Sequence, residues 1–241
     1  MGQQRKIRDV PAWALAVLAL GLALQVGWHA RRPPPAADAQ ALPGPPPAAA
    51  LRVAALGEPV ALARVLMLWV QAFDNQPGIS IPFRDLDYGR VQGWLARILA
   101  LDPRGQYPLL AASRLYGEVP VADKQRSMLE FVYERFLEDP DRRWPWLAHA
   151  AIVARHRLND LPLALRYARA ITERATGPGV PNWARDMSIL VLEEMGELEA
   201  ARVLIGGLPE SGRVNDPHEV RFLDGKLKDL ETKAVEKSTG R

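Results

Sequence analysis

The chain has 241 residues, no cysteine and a formal net charge of +3. The absence of cysteine excludes disulfides, thiolate nucleophiles, zinc fingers, iron–sulfur ligation and a lipoprotein-type lipid anchor. Residues 1–50 carry five Lys/Arg against two Asp/Glu, whereas residues 51–241 carry equal numbers of both signs, so the excess positive charge gives no electrostatic argument for nucleic acid binding.

Residues 1–10 read as a short basic tail with Arg5, Lys6 and Arg8. The following stretch, Pro11–Trp28, contains no charged side chain, and Arg31 and Arg32 lie just beyond it. Eighteen residues at a rise of about 1.5 Å cover about 27 Å, close to the hydrocarbon thickness of a bilayer. Trp13 and Trp28 stand near the ends of the stretch, where indole rings favour the headgroup region. These features predict a transmembrane helix over residues 11–30. The basic bias before it places the N-terminus in the cytoplasm and the larger part of the chain across the membrane. The competing reading is a cleaved leader. Against it, the bulky Trp28 occupies the region where a peptidase needs small residues.

Residues 31–50 contain Pro33–Pro35, Pro43 and Pro45–Pro47 among alanines. This composition favours extended polyproline II and predicts a semi-rigid spacer. After it, helices are expected over Pro59–Phe73, Tyr88–Ala100, Tyr107–Tyr116, Asp123–Leu137 and Pro217–Leu230, with a Pro/Gly-broken loop over Asp74–Pro82. Glu231–Arg241 is charged and poor in apolar residues, which predicts a frayed tail.

Between these elements the chain repeats itself. Trp146 and Trp183 are 37 positions apart, as are Asn159 and Gly196, Leu161 and Leu198, and Ala164 and Ala201. Asp102-Pro103 and Asp139-Pro140 share that interval. Tandem helix–turn–helix units produce such register matches. In one unit Leu147, Ala150, Ala151 and Ala154 mark a first helix. Asn159-Asp160 makes the turn, and Leu161, Ala164, Leu165, Ala168 and Ile171 form one face of a second helix. The next unit runs through Trp183, Met187, Leu190 and Val191, turns at Gly196, and continues through Leu198, Ala201, Leu204 and Ile205. Ala150, Ala164, Trp183, Gly196 and Ala201 are the expected repeat-packing residues.

The run Gly196-Glu197-Leu198-Glu199-Ala200-Ala201 resembles the turn and second helix of a tetratricopeptide repeat. Leu99-Ala100-Leu101-Asp102-Pro103 is similar to the close of such a repeat, and Trp146 with Ala150 resembles its first-helix positions. The period here is 37 rather than 34, and Ala168 or Ile205 stands where a large aromatic is usual. The resemblance covers residues 85–210. It implies an all-α, α-solenoid domain over residues 51–230, tethered to one N-terminal span. The order of anchor, Leu66-Met67-Leu68-Trp69, Leu101-Asp102-Pro103-Arg104, Tyr107-Pro108 and then repeats also resembles bacterial single-span proteins of this class, which implies an inner-membrane protein with its C-terminal domain in the periplasm.

No catalytic constellation emerges. His149 and His156 are seven apart without an acidic residue four positions on, and no HExxH occurs. The serines lack a GxSxG context, no phosphate-binding glycine loop is present, and Asp85 and Asp87 read as helix caps rather than hydrolytic carboxylates. No metal or cofactor is expected, and the chain is read as a non-enzyme. Arg142, Arg143, Trp144 and Trp146 combine the residue types that dominate protein interfaces and form the expected partner site. The resulting expectation is a membrane-anchored scaffold that binds a protein or peptide through its helical-repeat surface. The alternative is a structural subunit of a larger envelope, secretion or exopolysaccharide complex, in which the span itself packs against other helices through Gly21 and Gly27.

Overall fold

A computed structural model describes residues 11–31, 40–76, 79–210 and 217–239. Arg5, Lys6, Arg8 and Arg32, expected at the membrane edges, lie outside the described residues. The chain divides into two units, residues 1–40 with 75–80, and residues 41–74 with 81–241.

In the first unit, helix α1 runs from Ala12 to Ala30. Pro11 stands immediately before it, where a missing N–H costs nothing. The helix is long and apolar enough to cross a membrane. None of its residues is buried, and both Trp13 and Trp28 are exposed. The unit also holds two short antiparallel strands, β1 (Asn75–Gln76) and β2 (Ile79–Ser80), in register Asn75↔Ser80 and Gln76↔Ile79. The Gln76 side chain donates to the Gln40 carbonyl at 2.8 Å and accepts from the Gln40 N–H at 3.0 Å.

The second unit is helical. Its elements in order are α2 (Ala48–Ala54), α3 (Pro59–Ala72), α4 (Tyr88–Leu101), α5 (Tyr107–Arg114), α6 (Ala122–Glu138), α7 (Pro140–His156), α8 (Leu161–Arg174), α9 (Asn182–Arg185), α10 (Met187–Glu194), α11 (Leu198–Glu210) and α12 (Pro217–Thr239). Successive long helices pack on one another, most extensively α7 on α8, with α6 against α7, α8 against α10, and α11 against α12. The core runs through Leu95, Leu109, Met128, Phe136, Leu147, Tyr167, Ile171 and Leu192, all essentially without solvent contact. Ala150, Ala164 and Ala201 are fully buried at the helix contacts, where a methyl group lets backbones approach.

The turns follow their chemistry. At the α7–α8 turn Asn159 adopts φ +51°, and the Asp160 side chain caps α8 by accepting from the Leu163 N–H at 3.0 Å. At the α10–α11 turn Gly196 adopts φ +75°, and the Glu197 N–H bonds to the Leu192 carbonyl at 2.9 Å, the six-to-one bond of a Schellman stop.

The spacer expectation is corrected over residues 41–50. The last part of the proline-rich segment is not a spacer. Leu42 is buried, its carbonyl accepts from Arg90 Nη1 at 2.6 Å, and the Pro43 carbonyl accepts from Trp94 Nε1 at 2.8 Å, so residues 41–47 lie strapped along α4. Residues 48–50 already belong to α2. Helix α7 begins at Pro140 and holds Trp144-Pro145-Trp146 within it. Helix α12 carries the charged C-terminal segment to Thr239, and Leu223 and Leu230 are buried on one stripe of its earlier turns.

Candidate functional site: an aromatic groove beside the last helix

The four residues expected to form a partner site part company. Arg143 is buried at 3% exposure. It donates to the Arg135 carbonyl at 2.5 Å, the Pro103 carbonyl at 3.2 Å and the Glu138 carboxylate at 2.7 Å. It therefore ties the end of α6 to the α4–α5 turn and is a structural cation rather than a surface contact. Arg142 is exposed and pairs with Asp139 at 2.8 Å. The half-buried Trp146 donates from Nε1 to Gln106 Oε1 at 2.6 Å. Of the four, only the half-buried Trp144 reaches an exposed aromatic. Its ring meets that of Trp183 edge-on, with centroids 5.4 Å apart.

Trp183 was expected to pack between repeats, but it is 58% exposed. The first turn of α9 carries it outward, and the neighbouring Ala184 takes the buried position. Trp183 with Ile189 and Leu190 forms one wall of a groove of about 480 Å³. His218, Phe222, Leu223 and Lys226 of α12 form the other wall, and Asn182 and Asp186 also line it. Phe222 is 60% exposed, because Val220, Leu223, Leu227 and Leu230 already occupy the inward stripe of α12. Leu190, also expected in the interior, faces solvent, while its neighbours Ile189 and Val191 are buried. Lys226 Nζ pairs with Glu193 at 2.6 Å, both side chains being largely shielded, and this links α12 to α10 beneath the groove. His218 Nδ1 lies 3.0 Å from Arg221 Nη2.

The groove is thus mainly apolar, aromatic at both walls, and edged by a carboxylate, an imidazole and an ammonium group. Such a surface suits a short segment carrying one or two apolar side chains. Sequence reasoning missed Phe222. The signal was present: a large aromatic off the 220/223/227/230 stripe of an amphipathic helix.

The histidines do not converge. His149 is half-buried with Nε2 3.1 Å from Glu118 Oε1, whereas His156 is exposed at the end of α7. Burial, with Arg114 nearby, holds the His149 pKa below its ordinary value. Among the described residues no group of three His, Asp or Glu side chains could hold a metal ion. Asp85 ends a short 3-10 turn, and Asp87 caps α4 by accepting from the Arg90 N–H at 3.1 Å. No family model matches this chain, and no curated protein or solved structure matches it.

Proposed function

We propose that this chain is a membrane-anchored interaction module of tetratricopeptide-like helical hairpins. It holds a short apolar segment of a partner protein in the groove between Trp183 and Phe222. The exposure of these two rings on facing walls is the observation that carries the reading, since large aromatics left in water beside a cavity gain most from a partner that covers them.

The repeat reading draws support from the spacing of lateral contacts. Gln92 reaches Ser127, Arg126 reaches Asp160, Glu130 pairs with Arg166, and Asp141 accepts from the Gly177 N–H, at separations of 34 to 36 residues. Stacked hairpins place equivalent positions side by side at about one period. The anchor reading rests on the length and apolarity of α1 and on the basic residues of its flanks. With the N-terminus inside, the helical domain lies in the periplasm of a bacterial cell.

The test is recovery from detergent-solubilised membranes of a stoichiometric partner by the full-length protein. Trp183→Ala combined with Phe222→Ala abolishes that recovery, while Arg142→Ala leaves it intact. Equal recovery by both variants removes the groove from the mechanism.

A further inference from the structure

Helix α3 carries a second unpartnered apolar face. Ala63, Met67 and Val70 turn inward and are buried. On the other side Val60, Ala61, Arg64, Val65, Leu68 and Ala72 are exposed, at helical spacing, and only Arg64 among them is polar. Val65 is 60% and Leu68 66% exposed. Just before this helix the α2–α3 turn presents Leu56 at 90% exposure with φ +48°, followed by Gly57 at φ +92°. A left-handed leucine costs about 1 kcal/mol or more in backbone energy, and here no burial of its side chain offsets it.

We infer that the α2–α3 corner is a second membrane contact, dipping Leu56 and the Val65/Leu68 face of α3 into the headgroup layer of an anionic bilayer. This rests on the reading of α1 as an anchor. Three observations select a lipid surface as the occupant. Only nine peptide steps separate Arg31 from Gln40, so these Cα atoms stand at most about 32 Å apart. Residues 48–72 contain Arg52 and Arg64 against Glu58 alone, a sign that favours anionic headgroups, and long arginine side chains reach phosphates from an apolar face. The 14-residue α3 is too short to span, meets α2 at 110°, and buries its opposite face in protein, which leaves shallow immersion in the interfacial plane.

The cysteine-free chain permits single-cysteine labelling with an environment-sensitive fluorophore. Leu56→Cys, Leu68→Cys, Leu18→Cys in α1 and Glu134→Cys on the exposed side of α6 are each made in the full-length protein. Each is reconstituted into vesicles of equimolar phosphatidylcholine and phosphatidylglycerol carrying shallow or deep nitroxide lipids. The expected result is blue-shifted emission at 56 and 68, quenched by the shallow nitroxide more than the deep one, with no effect at 134 and deep quenching at 18. Labels at 56 and 68 that behave like the one at 134, while 18 is quenched, overturn the surface contact and leave the anchor standing. An unquenched label at 18 overturns the anchor reading separately, whereas 56 and 68 still decide the contact. Labels at 56 and 68 shielded both from aqueous iodide and from the nitroxide lipids, in proportion to protein density, assign the face to a second copy and also overturn the inference.

Discussion

Asn159 and Gly196, 37 positions apart, both adopt left-handed φ values, +51° and +75°. Each ends the first helix of a pair, and each is followed by an acidic residue, Asp160 or Glu197, that starts the second. Asparagine enters this region at modest cost, glycine at almost none, and a β-branched residue at about 1–2 kcal/mol. Gly196→Val is therefore expected to lower stability by about that amount and Asn159→Gly to leave it unchanged or slightly raised. Thermal unfolding of both variants in one detergent checks this. A neutral Gly196→Val shows that the turn is not held as described.

That pair was legible in the sequence because a turn needing positive φ restricts residue type. The alanines at the helix contacts were legible for the same kind of reason, since only a small side chain fits there. Arg143 was not. A charged residue beside two tryptophans reads as an interface, and only the fold brings the Arg135 and Pro103 carbonyls around its guanidinium. The strap over α4 was hidden for a related reason. Proline and alanine composition reports the absence of apolar bulk, but carbonyls that accept from Arg90 and Trp94 have no signature in residue type. The groove was half legible: Trp183 stood out, yet the exposure of one ring depends on which helix passes beside it.

Arg143 gives a prediction opposite to that for a surface contact. Arg143→Ala takes the donor away from the Arg135 and Pro103 carbonyls and leaves Glu138 paired with Arg135 alone, with a cost of about 2 kcal/mol. Arg142→Ala breaks an exposed pair with Asp139 and costs less than about 1 kcal/mol. Chemical denaturation of the two variants should separate them clearly. Equal, small effects exclude the structural role of Arg143.

The acid limb of stability should carry the signature of Asp160. The ion pair with Arg126 and the N–H of Leu163 hold its carboxyl below the ordinary value of about 3.9. A depressed carboxylate contributes stability that is complete above its unfolded pKa and is lost as pH falls through its folded pKa. Asp160→Ala is expected to cost about 1 kcal/mol at neutral pH. The gap between variant and parent should then narrow below about pH 4 as the parent loses the ionised cap. A gap that stays constant down to the lowest pH at which the parent folds assigns the effect to packing instead.

The strap over α4 predicts a loss of local order that spares the rest of the fold. Gly93 packs under Pro45, and a Cβ at Gly93 would stand 2.8 Å from Pro45 Cγ, too close for a stiff ring to absorb without moving. Gly93→Ala should lift residues 41–47 from α4, break the Trp94 to Pro43 hydrogen bond and expose the segment to proteases. Limited proteolysis with mass mapping should show new cleavage between residues 40 and 50 and an unchanged core pattern. Uniform resistance in the variant indicates that the strap tolerates the added methyl group.

Replacing α1 separates recognition by the domain from assembly by the span. Among the described residues, a Cβ built at Gly21 or Gly27 would meet nothing within 4 Å, so α1 offers small-residue positions at which another helix could approach closely. If the groove does the recognising, a chain in which residues 11–30 are exchanged for an unrelated single span retains its partner, because the tether supplies only local concentration. If the chain is instead a subunit held through its span, the exchange abolishes assembly while groove variants at Trp183 and Phe222 leave it intact. Co-purification of the partner with each of the two variants distinguishes the outcomes. Loss in the exchanged chain alone would move the interaction from the aromatic groove to the membrane.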